Sequence, residues 1–145
     1  IGLSTMLGLG FARVALAADF NGDRLDDIVV FRPSTGLWAV RGLGRTNFGR
    51  AGDIPAAGDY DGDGIADVAV FRPETCLWAI HGLTRFYFGA AADTPLPDDY
   101  TGDGSASAAI FRNGSGLWAV RGLTKIYWGG ETYTPVPGDY SGDVA

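Results

Sequence analysis

One string recurs along this chain at a fixed interval. Asp19, Asp59, Asp99 and Asp139 stand 40 residues apart. The first three open the strings "DFNGDRLDDIVVFRPSTGLWAVRGLGRTNFG", "DYDGDGIADVAVFRPETCLWAIHGLTRFYFG" and "DYTGDGSASAAIFRNGSGLWAVRGLTKIYWG". Phe31, Phe71 and Phe111 hold one place in the register, and Trp38, Trp78 and Trp118 another. Gly42, Gly82 and Gly122 correspond too, as do Pro55, Pro95 and Pro135. A period of this length makes each copy one supersecondary unit that buries its apolar faces on its neighbours. The repeats run 19–58, 59–98 and 99–138. A fourth begins at 139–145, and an apolar segment, 1–18, precedes them.

Within a unit the apolar runs are short, rich in Val, Ile, Phe, Tyr and Trp, and punctuated by Gly, Pro and Asp, which is strand grammar. The 23 glycines among 145 residues favour tight turns over long helices. In the middle copy the pattern predicts four strands, at about 54–60, 67–72, 76–81 and 84–89. "TRFYFG" alternates, with Phe86 and Phe88 on one face and Arg85 and Tyr87 on the other. Four short strands in 40 residues is the size of a propeller blade. The expected fold is therefore all-β: three full four-stranded blades with partial blades at both ends. The tryptophans have two uses in such a fold. They pack between blades, or Trp38, Trp78 and Trp118 serve as stacking platforms for sugar rings. Arg32, Arg72 and Arg112 follow the blade phenylalanines and so point to the opposite face, to pair with a carboxylate, stay solvated or meet an anion.

"DYDGDGIADVAVF", residues 59–71, carries the chemistry. Four carboxylates in nine residues, Asp59, Asp61, Asp63 and Asp67, repel one another unless something positive lies between them. At about 5 Å and an effective dielectric of 20, each pair costs on the order of 3 kcal/mol. Counting from Asp59, carboxylates fall at positions 1, 3, 5 and 9, Ile65 at 7 offers a carbonyl, and Gly62 and Gly64 supply the turn. Hard oxygens in a loose cluster suit Ca2+, whereas zinc wants His or Cys and magnesium a strict octahedron. An EF-hand would place Glu at position 12, where this chain has Val70 in an apolar run. The first copy keeps Asp19, Asn21, Asp23, Leu25 and Asp27 in the corresponding places. In the third, Thr101 and Ser107 replace carboxylates, so Asp99, Thr101, Asp103 and Ser105 make a weaker site. The alternative for all three is an Asp/Gly turn closed by its own hydrogen bonds.

The "DxDxDGxxD" loop, the apolar strand after it, and the pairs Phe48–Gly49 and Phe88–Gly89 resemble FG-GAP repeats, also described as VCBS-type repeats. The resemblance spans 19–138. Trp128 replaces Phe in the third pair, and "FRP" at 31–33 and 71–73 stands where Gly-Ala-Pro is expected. Such repeats build the propeller of integrin α-subunits and of many secreted bacterial proteins. The resemblance implies a calcium-stabilised propeller that presents loops for binding outside the cell.

The net charge of −6 argues against a nucleic-acid partner. Cys76 is the only cysteine and His81 the only histidine, which leaves no disulfide framework and no cysteine zinc site. With one His and no G-x-S-x-G, no catalysis is expected. Residues 1–12 are uncharged and too short to span a bilayer. They read as a strand, as a segment donated to a neighbouring subunit, or as the remnant of a secretory signal cleavable after Ala17. About 3.6 units are too few to close the ring of seven blades that the resemblance implies, so the chain is either a fragment of a longer array or self-associates into a closed oligomer or a filament. The function expected is a secreted module of assembly or adhesion. The alternative is a lectin with a glycan between blades.

Overall fold

In a computed structural model the chain is all-β, and the structure describes residues 18–137. Three antiparallel sheets follow one another along the chain. The first contains β1 (Val29–Arg32), β2 (Leu37–Val40) and β3 (Gly44–Asn47). The second contains β4 (Ile54–Pro55), β5 (Ala69–Arg72), β6 (Leu77–Ile80) and β7 (Thr84–Tyr87). The third contains β8 (Thr94–Pro95), β9 (Ala109–Arg112), β10 (Leu117–Val120) and β11 (Thr124–Tyr127). The described residues close into no barrel or ring, and none forms a helix able to cross a membrane.

The register repeats as the sequence does. Phe31 pairs Trp38, Phe71 pairs Trp78 and Phe111 pairs Trp118. Each pair brings its rings together, with centroids 4.9, 5.4 and 5.3 Å apart. Two of the expected blades have four strands; the first has three, because its inner strand would fall at 14–15, outside the described residues. The strand expected over 54–60 is shorter than its apolar run. After Ile54–Pro55 the ladder survives only as Ala56 N–H to Ala69 O and the Gly58–Asp67 bridge. The chain then turns into the acidic loop, where N–H groups bond to carboxylates instead of a strand.

The core lies between sheets. Trp38 packs with Ala57 and Val70 of the second sheet, flanked by Phe31, Phe48, Val68 and Ala79. Phe71 and Trp78 pack with Ala108, Ile110, Leu117 and Ala119 of the third. The first and second sheets thus each offer a Phe–Trp face to the next sheet, which meets it largely with small and β-branched side chains. Aromatic contacts continue the seam outward: Phe48 meets the edge of His81 at 5.0 Å, and the Arg121 guanidinium lies 4.0 Å over Phe86.

Two aspartates absent from the sequence expectations are buried. Asp53 and Asp93 are each 3% exposed, and each is held by a two-pronged arginine. Arg72 donates Nε and a terminal nitrogen to Asp53 at 2.8 and 2.9 Å, and Arg112 does the same to Asp93 at 2.6 and 2.9 Å. Of the uses open to the recurring arginine, carboxylate pairing holds for these two; Arg32 is exposed. The glycines of the two Phe-Gly pairs make room for the carboxylates. A Cβ on Gly49 would stand 3.1 Å from Asp53 Oδ2, and one on Gly89 would stand 3.0 Å from Asp93 Oδ2.

Candidate metal centre

All three acidic corners are organised around their first aspartate. In the middle corner, Asp59 Oδ1 accepts the Gly62 and Asp63 N–H groups at 2.7 and 3.1 Å, and Oδ2 accepts Gly64 N–H at 2.8 Å. Asp67 Oδ2 reaches back across the loop to Tyr60 N–H at 2.9 Å. The loop folds this way because Gly62 and Gly64, at φ of 76° and 87°, enter the left-handed region without steric cost. Carboxylate oxygens of Asp59, Asp61 and Asp67 then lie within 4.8 Å of one another. A calcium ion with oxygens at ~2.3–2.6 Å bridges such a span. Asp63 is not part of this trio; its Oδ1 accepts Ile65 N–H at 2.8 Å.

The donor set fits a hard cation: three carboxylates in one loop, no nitrogen or sulfur ligand among them, and each of the three with an oxygen already fixed by a backbone N–H group. The Asp67 carboxyl is pushed above its ordinary value, first by burial and then by the charges of Asp61, Asp59 and Asp63, against the opposing Tyr60 N–H. A proton and a cation therefore compete for Asp67, and a bound cation would reverse the electrostatic part of the shift.

The other two corners differ in instructive ways. In the first, Asp19 accepts N–H groups from Asn21, Gly22 and Arg24 at 3.0, 2.6 and 2.7 Å. Burial pushes its carboxyl up slightly, and these N–H groups outweigh that and hold it below the ordinary value. Asn21 Oδ1 accepts Asp23 N–H, Asp23 Oδ1 accepts Leu25 N–H, and Asn21 Nδ2 donates to Asp27 Oδ1 at 2.9 Å. An ion here requires the Asn21 amide turned so that its oxygen faces inward. In the third corner Asp99 keeps the same N–H partners at Gly102 and Gly104, and Thr101 closes on it through both N–H and hydroxyl. There too burial is outweighed, and the Asp99 carboxyl lies below its ordinary value. Asp103 Oδ1 accepts Ser105 N–H. Among the described residues, only the middle corner gathers three acidic groups.

The corners also belong to the seams between successive repeats, which sequence reasoning missed. Ala66 N–H donates to Asp19 O and Ala106 N–H to Asp59 O, both at 2.6 Å. The residue whose side chain organises one loop thus takes, through its carbonyl, a hydrogen bond from the next repeat. Ile65 packs near Gly22, and Ser105 Oγ would lie 2.8 Å from a Cβ on Gly62. The signal was the small side chain at position 8, Ala66 and Ala106, which lets the next loop approach.

No family model, curated protein or solved structure matches this chain. Its site is therefore read from its own geometry.

Trp38 and Trp78 offer no face to a sugar ring, being 1% and 0% exposed. Each indole N–H donates inside the fold, to Phe48 O and Phe88 O at 3.1 Å. Of the two expected uses of tryptophan, packing holds for this pair; Trp118 is half-buried.

One loop residue sits against its backbone. Arg24 has φ 69°, where the other corners place Gly64 and Gly104. Left-handed backbone costs a side-chain-bearing residue roughly 1–2 kcal/mol. Arg24→Gly is expected to stabilise the fold by about 1 kcal/mol, read as a higher midpoint in urea.

Proposed function

We propose that this chain is a calcium-stabilised β-propeller repeat module that works outside the cell by assembly or adhesion, without catalysis. The observation that carries this reading is the Asp59, Asp61 and Asp67 trio, set in a corner whose first residue also bonds to the next blade. A cation held by those three side chains, with the Ile65 carbonyl, offsets their repulsion and stiffens the loop. A stiffer loop presents the Asp59 carbonyl to Ala106 N–H in a fixed place, so ion binding and blade stacking support one another. The first corner, through Asp19, Asn21, Asp23 and Asp27, acts in the same way on the second blade. The blade reading is supported by two four-stranded sheets in the same strand order, each stacked face to face on its neighbour. Secretion is supported by the match between such weak, acidic loops and millimolar extracellular calcium.

At millimolar calcium a loop with Kd near ~10⁻⁴ M gains roughly 1.4 kcal/mol. Excess chelator is expected to lower the melting temperature by several degrees, and Asp67→Asn to remove most of the response of the middle corner. A melt that ignores both calcium and chelator would remove the ion from the account.

A further inference from the structure

The described body, 18–137, spans three periods of 40 residues and ends in two unlike faces. At its start, Ile28 and Val30 on the first sheet are 61% and 63% exposed. The counterparts of Val30, Val70 and Ile110, are each 1% exposed, and those of Ile28 are the half-buried Val68 and the buried Ala108. At its end, Trp128 is 79% and Ile126 53% exposed, where Phe88 and Phe86 are partly buried and pack against the core. A groove there is lined by Phe111, Trp118, Ile126, Trp128 and Tyr133. The two faces are the two halves of a contact that the chain already makes twice within itself. Among the described residues β1 is an edge strand, and Thr134–Pro135, in register with β4 and β8, pairs with no strand.

We propose that these faces bind each other in two copies of the chain, head to tail. This rests on the assembly part of the reading above and not on its calcium. Residues 134–135 of one copy take the place beside β1 of the next that 14–15 of that chain hold by period, Thr134 opposite Phe31 and Pro135 opposite Val30, as Ile54 and Pro55 lie opposite Phe71 and Val70. Val30 enters the groove beside Trp118, as Val70 packs on Trp38. Arg41, in register with His81 and Arg121, reaches the rings of the neighbouring outer strand, as those two do at Phe48 and Phe86. The contact is heterologous, since each copy uses a different face. One position opposes it. Asp26 stands where the internal seams have Ala66 and Ala106, and Ala106 packs against Gly58, whose counterpart at the far end is Asp98. Docking therefore brings two carboxylates together.

The test is the mass of the full chain across a concentration series, with far-UV circular dichroism as the folding control. Wild type is expected to exceed the 15.2 kDa of one chain. Val30→Asp, or Ile28→Asp in its place, removes the head, and Trp128→Glu, or Ile126→Asp, removes the tail. Each variant alone is expected to be a monomer. Mixed in equal amounts, a head variant and a tail variant keep one good head and one good tail between them, and are expected to give a dimer that grows no further. Asp26→Ala is expected to tighten association by about tenfold. A monomeric wild type, or a mixture that stays monomeric, overturns the proposal. Association that persists in excess chelator leaves it standing even if the calcium reading fails.

Discussion

Arg72→Met is expected to destabilise the protein by about 3–5 kcal/mol, a large fraction of a typical domain's stability. The reason lies with Asp53, whose side chain has no exposure at all. Its carboxylate accepts three hydrogen bonds: two from Arg72 and one from the Arg50 N–H at 2.9 Å. Removing the guanidinium leaves a buried anion with one backbone N–H, the case in which breaking a pair costs most. The Arg72 side is also held, since bonding to Asp53 raises the guanidinium above its ordinary value against the opposing effect of burial. The double variant Arg72→Met with Asp53→Leu is expected to recover much of the loss, because no unpaired charge is then left. Arg112→Met should cost less than Arg72→Met, as the Arg112 side chain is 37% exposed against 20%. Arg32→Met should stay within about 0.5 kcal/mol of wild type. Urea midpoints and slopes for the four variants measure this directly; equal losses at Arg32 and Arg72 would refute the account.

That series also marks where the sequence was legible and where it was not. The period and the Phe–Trp register translate directly into sheets, because a strand pair in register places the same residue types opposite each other in every unit. The first-residue aspartates were legible as loop organisers, since N–H groups of the following residues converge on whatever acceptor opens an Asp/Gly turn. The buried Asp53 and Asp93 were present in the text, 40 apart and each 19 residues before its arginine. They escaped notice because the pattern breaks at both ends: Arg13 and Tyr133 occupy the corresponding places. A contact made within two of the three sheets leaves only two instances to find. The structure also gives Asp63 a partner that spacing did not: it caps Ile65 N–H. Alternation of carboxylates along a loop specifies how many oxygens there are, but the turn geometry decides which of them converge.

The three tryptophans give the second large effect, and they separate the seams from the ends. Trp78 is fully buried, 5.4 Å from the Phe71 ring and stacked at 6.1 Å on Phe86, with its indole N–H on Phe88 O. Trp78→Ala removes a large apolar surface between two sheets that cannot collapse without losing their hydrogen-bonded register. It also leaves the Phe88 carbonyl without its donor. Loss of about 3–5 kcal/mol is expected. Trp38→Ala should fall in the same range, since Trp38 is 1% exposed and makes the same bond to Phe48 O. Trp118 holds the same register position but is half-buried, and its outer neighbour Trp128 lies open. In a dilute sample Trp118→Ala should cost roughly half as much as Trp78→Ala, in proportion to the area it buries. As concentration rises, a second copy that covers Trp118 stabilises wild type more than the variant, so the cost of Trp118→Ala should grow while that of Trp78→Ala stays fixed. Thermal melts of both variants and wild type over a range of chain concentrations provide the comparison. A concentration-independent Trp118→Ala would leave the end face uncovered in solution, whereas a small loss at Trp78 would mean that the sheets do not stack through their tryptophans.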